Sequence, residues 1–207
     1  MGLIGLLFNN PAAFVLIAVP LLYSIIVHEL AHGWVASRMG DQTARMLGRL
    51  SMNPLRHLDP IGTLMLFLVG FGWARPVPVN FGNLRPARKG FVMVSAAGIV
   101  ANLLLAFAAL LADRILEPSP TGILATILYF MARINIMLAA FNLIPIPPLD
   151  GSKILLGFAS GSLRELLLRL ERYGFFIIIG LLYLGVLDPV IALFRWIILS
   201  VIGLLLP

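Results

Sequence analysis

Long apolar runs constrain this chain more than any other feature of its sequence. Three of them reach the roughly 20 residues that a helix needs to cross a bilayer. The runs lie at about 11–38, 90–112, 122–144, 174–187 and 190–206. Only 12% of the residues are charged, whereas a soluble domain carries about 25%. We therefore expect a single integral membrane domain over 1–207, an all-α polytopic bundle of about five transmembrane helices.

The region between the first two spans differs from the rest of the chain. Residues 61–73 are apolar but too short to cross a bilayer, which favours a re-entrant or interfacial segment. Residues 74–90 contain Pro76 and Pro78, which suit an edge strand or a loop and exclude a central strand. We expect a re-entrant or short β segment here.

The distribution of basic residues predicts the orientation in the membrane. Residues 38–89 carry eight Lys and Arg against two Asp, and residues 145–172 carry four more, whereas 113–121 hold only Arg114. Because basic loops stay on the cytoplasmic side, the ends of the first and third spans should meet at that face. This bias also accounts for the net charge of +6, and no nucleic-acid-binding motif accompanies it, so we expect no nucleic-acid partner.

The first span contains the sequence HELAH at 28–32. His28 and His32 are four residues apart, so on a helix they share one face and can bind one tetrahedral Zn²⁺. Glu29 lies beside them, within reach of a water molecule on the metal. Ionisable groups within a span are costly and usually functional. The chain has no cysteine, which excludes a Cys-ligated metal site.

Two histidines leave a catalytic zinc site one protein ligand short, because such sites usually take three and keep one position open. His57, Asp59 and Asp150 are the candidates. The topology favours Asp150, which follows the third span on the side where the histidine pair ends. An Asp-Gly turn or a helix cap is the alternative role for Asp150. His57 and Asp59 stay open as loop residues or alternative ligands.

HELAH, together with NLIPIPPLDG at 142–151, resembles the site-2 protease family of intramembrane zinc metalloproteases. Three further stretches are similar to segments of that family: GRLSMNPLRHLDPIGT at 48–63, GWARPVPVN at 72–80 and SAAGIVAN at 95–102. The resemblance is to the short members that lack a PDZ or CBS domain. It implies a catalytic core at about 11–160, followed by C-terminal helices at about 162–207.

The resemblance also implies roles for individual residues. The zinc ligands, one ion per chain, would be His28, His32 and Asp150. Glu29 would be the catalytic acid/base that activates the zinc-bound water. Asn102 and Asn142 would bind the substrate backbone or the developing oxyanion, and a hydrogen bond to a neighbouring helix is their alternative role. The expected function is hydrolysis of peptide bonds within or near transmembrane segments of membrane-anchored proteins. The expected location is the cell membrane, as a multi-pass protein with its active site towards the cytoplasm.

Two other functions compete with proteolysis. An ion transporter also places His and acidic residues within spans, but it often has repeated halves, and this sequence shows no internal repeat. A purely structural metal site has no need for a base beside its ligands. Glu29 therefore favours hydrolysis over a structural metal site.

Overall fold

The computed structural model describes residues 3–69, 72 and 74–207, which contain ten α-helices. The helices are α1 (Leu3–Asn9), α2 (Pro11–Arg38), α3 (Thr43–Met46), α4 (Pro60–Val69), α5 (Ala87–Leu116), α6 (Ile123–Asn142), α7 (Asp150–Phe158), α8 (Gly161–Glu171), α9 (Gly174–Tyr183) and α10 (Asp188–Leu205). Two short 3₁₀ turns, Pro54–Arg56 and Phe81–Asn83, lie between α3 and α5.

Four of these helices are long and apolar enough to cross a membrane: α2, α5, α6 and α10. The chain is therefore a multi-pass membrane protein. The first span begins and ends where the sequence predicts, with Pro11 in its first turn and the Asn10 side chain accepting a hydrogen bond from the Ala13 N–H. Proline suits this position because its missing N–H would have no partner there.

The prediction of about five spans is one too many, because α9 is too short to cross the membrane. Its 10 residues rise about 15 Å, half of the roughly 30 Å hydrocarbon core. Gly185 ends the helix in the left-handed region, with φ of +68°. The N–H groups of Gly185 and Val186 donate to Leu182 and Leu181, a pattern that closes many helix C-termini. The apolar run at 174–187 thus contains a helix end that composition alone does not reveal.

The predicted β segment is also wrong: the described part of the chain contains no strand. Residues 74–80 are extended, but they form only one isolated bridge, between Leu58 and Ala74. Pro76 and Pro78 have no N–H to give to a ladder. The N–H of Val77 donates instead to the Glu29 carboxylate, so side chains replace a partner strand. Of the predicted re-entrant segment, 61–69 lies in α4, and residues 70, 71 and 73 fall outside the described residues.

Asp41 holds the extended segment against the end of α2. Its buried carboxylate accepts hydrogen bonds from Thr43, from the Asn80 N–H and from the Asn83 amide. Burial alone would raise the pKa of Asp41, but these hydrogen bonds favour the charged form and bring the pKa below its usual range. The anchor fixes the chain just after Val77, whose N–H donates to Glu29.

Helix α5 is central to the fold, with contacts to α2, α6 and α7. Small residues let its neighbours approach closely, as is common between membrane helices. Those buried in α5 include Gly90, Ser95, Ala97, Gly98, Ala106 and Ala109. The arrangement places one face of α5 against the histidine pair of α2 and brings the start of α7 to the same level.

Candidate metal centre

Three side chains that are far apart in sequence meet at one point. Helix α2 supplies His28 and His32, one turn apart, and Asp150 is the first residue of α7. Asp150 Oδ2 lies 3.0 Å from each Nε2 atom, and the two Nε2 atoms are 3.1 Å apart. These are the residues that the sequence analysis selected as ligands. They are the one such cluster of His and carboxylate groups among the described residues.

The hydrogen bonds of the two rings decide which nitrogens carry protons. His32 Nδ1 lies 2.7 Å from the Val94 carbonyl oxygen, which can only accept, so this nitrogen carries the proton. His28 Nδ1 lies 2.6 Å from the Asn102 amide oxygen and donates to it in the same way. In the neutral rings both Nε2 atoms are therefore lone-pair acceptors that face the carboxylate.

The resulting triangle fits a zinc ion. Asp150 Oδ2 is buried and has no hydrogen-bond donor among the described residues. Three acceptors that face each other are satisfied together by a metal ion, whereas one proton can join only two of them. Zinc bonds of about 2.0–2.2 Å in a tetrahedron separate the ligand atoms by about 3.3 Å, close to the observed spacing. Histidine ligands also usually donate their second N–H to an oxygen, as both do here.

The short linker between α6 and α7 places Asp150. It packs so closely on the end of α6 that a Cβ at Gly151 would lie 2.3 Å from the Leu143 carbonyl oxygen. Glycine is therefore required at this position, which explains the residue after the aspartate. The second carboxylate oxygen of Asp150 faces Lys153, whose Nζ atom is 3.3 Å away.

Glu29 lies beside the triangle in a cavity of about 440 Å³. His28 and Asn142 line the same cavity, and most of its remaining wall is apolar. The Glu29 Oε2 atom accepts the Val77 N–H at 2.9 Å, which fixes one end of the carboxylate. A carboxylate held at one oxygen next to the metal centre can exchange a proton through the other.

Comparison with known proteins identifies the family of this chain. The profile of Peptidase family M50 matches residues 112–185. YwhC of Bacillus subtilis, named as a candidate zinc metalloprotease, is 38% identical over 172 residues, which cover 80% of this chain and 78% of the relative. The chain belongs to peptidase family M50. As a site-2 protease of this family, it is a zinc-dependent metalloprotease.

More distant relatives share the same description. Rip2 of Mycobacterium tuberculosis, also named as a candidate zinc metalloprotease, is 34% identical over 144 residues, or 67% of this chain. The match spans 55% of Rip2, so this M50 chain corresponds to about half of that relative. The zinc metalloprotease MJ0392 of Methanocaldococcus jannaschii is 27% identical over 154 residues, which cover 74% of the M50 chain and 37% of the relative. No solved structure matches the chain.

The other predicted residues of this M50 protease lie in different surroundings. Asn142 lines the Glu29 cavity, and its amide N–H donates to the Leu138 carbonyl. His57 is fully buried away from the triangle, and its Nε2–H donates to the Ser51 carbonyl oxygen at 2.7 Å. Asp59 accepts the Gly62 N–H at 2.8 Å, near the start of α4. Neither His57 nor Asp59 joins the metal cluster.

The sequence analysis missed three residues around the histidine pair. A Cβ at Gly98 would lie 2.4 Å from His28 Cε1 and 2.5 Å from His32 Nε2, so the rings occupy the space of a side chain. Ser24 and Asn135 are fully buried behind His28. Gly98 stands within the stretch SAAGIVAN and could have been singled out there, whereas the other two carry no motif that would have indicated them.

Proposed function

We propose that this M50 protease hydrolyses peptide bonds within or near the transmembrane segments of membrane-anchored proteins. In this proposal His28, His32 and Asp150 hold one zinc ion per chain. The observation that supports it most strongly is the meeting of two histidines from a membrane-spanning helix with Asp150 from α7, beside a cavity that holds a carboxylate. A zinc-dependent peptidase site needs all three elements: a metal position, a base and room for a peptide.

Bound at this position, zinc would supply Lewis acidity that polarises the scissile carbonyl and lowers the pKa of the attacking water. Glu29 would accept the proton of that water and pass it to the leaving amine. The Val77 N–H supports this role because it holds Oε2 in place and leaves Oε1 without a hydrogen bond among the described residues. The orientation of Glu29 therefore supports an acid/base role, as does its place in the same cavity as His28.

The two asparagines call for different roles. Asn142 lines the cavity with its amide N–H committed to Leu138, so its free oxygen would accept an N–H from the substrate backbone. Asn102 is fully buried and its oxygen contacts His28. We therefore keep Asn142 as a substrate-binding residue and assign Asn102 to positioning His28 instead of contacting the substrate.

The substrate would have to enter as unwound chain. A helix within lipid bonds all its carbonyls internally, so no carbonyl is free for attack. The mostly apolar walls of the Glu29 cavity suit the side chains of a transmembrane segment. Substrates with helix-breaking Gly or Pro near the cleavage site should therefore be preferred, and replacing those residues with Leu should slow cleavage of a single-span substrate. Equal rates for both substrates would contradict this preference.

We further propose that the active site faces the cytoplasm. His32 lies about 9 Å of helix before the end of α2 at Arg38, and Asp150 follows the end of α6. Both ends adjoin the basic segments 38–89 and 145–172, which the positive-inside bias places in the cytoplasm.

The variant Glu29→Gln tests the proposed mechanism. It should bind zinc as the wild type does but cleave a single-span substrate in proteoliposomes about 10²–10⁴-fold more slowly, because an amide cannot accept the proton. Glu165→Gln is the matched control, since Glu165 is exposed on α8 and its one ion pair among the described residues is with Arg169. Wild-type cleavage by Glu29→Gln, or no cleavage by the zinc-loaded wild type on a panel of single-span substrates, would refute the proposal.

A further inference from the structure

A chain of hydrogen bonds runs from His28 away from the metal centre and links three helices. The Asn102 amide on α5 lies 2.6 Å from His28 Nδ1. The Asn102 amide nitrogen donates to the Asn135 amide oxygen on α6 at 2.7 Å. Asn135 in turn donates to Ser24 Oγ on α2 at 2.8 Å. All three polar side chains are fully buried, so they have no water to replace these bonds.

One main-chain carbonyl decides which groups donate and which accept along this whole series of hydrogen bonds. Asn135 Nδ2 lies 2.8 Å from the Met131 carbonyl oxygen, which can only accept. The nitrogen of Asn135 must therefore point to Met131, and its oxygen must point to Asn102. That oxygen in turn requires a donor, so Asn102 presents its N–H₂ to Asn135 and its oxygen to His28.

The donor–acceptor order of these hydrogen bonds also determines the protonation of His28 at the metal centre. Because the Asn102 oxygen only accepts, His28 Nδ1 must carry the proton, and His28 Nε2 is left with a bare lone pair. The Asn102 N–H₂ also lies 3.4 Å from the Ser24 carbonyl oxygen, which favours the same orientation. Each link thus follows from the fixed carbonyl of Met131.

The two histidines differ in how they are held. His32 donates directly to the Val94 carbonyl, and a main-chain carbonyl cannot turn round. His28 instead donates to an amide, whose oxygen and nitrogen exchange places if the group rotates by 180°. A rotated Asn102 would present N–H₂ to His28 Nδ1 and favour the tautomer that carries its proton on Nε2. Of the two histidines, therefore, only His28 donates to a side chain, Asn102, whose own orientation must be fixed by another residue.

We propose that Asn135 is a positioning residue for the metal centre: through Asn102 it holds His28 in the tautomer that offers Nε2 to the metal. This inference rests on the zinc site of the proposed function. Asn135 touches neither the metal ligands' acceptor atoms nor the Glu29 cavity, so its effect is transmitted entirely through Asn102. Partners of this kind change metal affinity by about 10–100-fold in other zinc proteins.

The test is the zinc affinity of the purified full chain in detergent, measured by competition with a chromophoric zinc chelator. Asn135→Leu removes both ends of the amide at nearly constant volume. Asn135→Thr keeps a hydroxyl that can donate to the Met131 carbonyl, but it is too short to reach Asn102. Both variants should bind zinc about 10–100-fold more weakly than the wild type.

Ser95→Ala is the matched control. Ser95 is a buried polar residue on α5 whose hydroxyl donates only to the Phe91 carbonyl, outside the chain of amides. It should leave the zinc affinity unchanged. Wild-type affinity in both Asn135 variants, or an equal loss in Ser95→Ala, would overturn the inference.

A second readout separates positioning from general disruption of the fold. When free zinc is buffered above the weakened dissociation constant, Asn135→Thr should regain cleavage, because only occupancy of the site is impaired. Persistent inactivity at full zinc occupancy would count against a positioning role. A wild type that binds zinc but cleaves nothing would refute the proposed function, while the affinity comparison would still test Asn135.

Discussion

At the scale of single residues, the metal centre depends on a missing side chain as much as on those present. The imidazoles of His28 and His32 lie where a Cβ of residue 98 would stand. Glycine at this position allows α5 to approach α2 until Asn102 and the Val94 carbonyl reach the Nδ1 atoms. Gly98 therefore determines the distance between the ligands and the groups that orient them.

The variant Gly98→Ala should weaken zinc binding about 10-fold or more, because its methyl group would displace rings that are oriented by hydrogen bonds. Overpacking of this kind also costs about 1–3 kcal/mol of stability. Chelator competition would measure the affinity, and thermal unfolding in detergent the stability. Gly203→Ala on α10 is the control, since no atom lies within 4 Å of its added Cβ. Equal zinc affinity in Gly98→Ala and Gly203→Ala would contradict this account.

The ligand candidates could be predicted from the sequence because their signals are local or topological. His28, Glu29 and His32 share a helical spacing, and the charge distribution of the loops brings Asp150 to the same face. The orientation of Asn102 could not be predicted, since it depends on contacts with Asn135 across two helices. A single buried Asn in an apolar helix has many candidate partners, and only the packing of the helices selects one.

At the scale of elements, the predictions for the first and third spans agree closely with the structure. The first span was expected at 11–38 and lies at Pro11–Arg38, since an N-terminal cap and a following glycine mark both ends. The third was expected at 122–144 and lies at Ile123–Asn142. Spans leave clear signals because every residue must tolerate lipid over a fixed length.

The errors at this scale have one physical cause in common. Residues 74–80 are extended as expected, but the N–H groups of Val77 and Asn80 donate to the carboxylates of Glu29 and Asp41 instead of to a strand. Likewise the run at 174–187 is apolar throughout and yet its helix ends at Tyr183. Hydropathy reports where a segment can lie, whereas hydrogen-bond partners decide which element it forms.

At the scale of the whole molecule, four spans and asymmetric loop charge support one orientation. Helices α2 and α6 bring their C-terminal ends, and with them the metal centre, to the face that carries the basic segments. The residues between α5 and α6 lie at the opposite end of both helices. In the proposed orientation this face lies in the compartment where the basic loops stay.

This orientation can be tested with single cysteines, because the chain has none of its own. Met46 is 84% exposed on the basic side, and Ser119 is exposed between α5 and α6. In intact bacterial cells a membrane-impermeant maleimide should label Ser119→Cys, and it should label Met46→Cys only after lysis. The reverse pattern would place the active site outside the cytoplasm.

The zinc content of the purified protein tests the central claim most directly. Metal analysis should find about one zinc per chain in the wild type. The same ratio is expected in the control Asp59→Ala, because the Asp59 carboxylate accepts a hydrogen bond at the start of α4 and lies outside the metal cluster. Asp150→Ala should lose most of its zinc, because two imidazoles alone leave the ion without its charged ligand. If Asp150→Ala retains zinc at the wild-type ratio, the three residues do not form the metal centre described here.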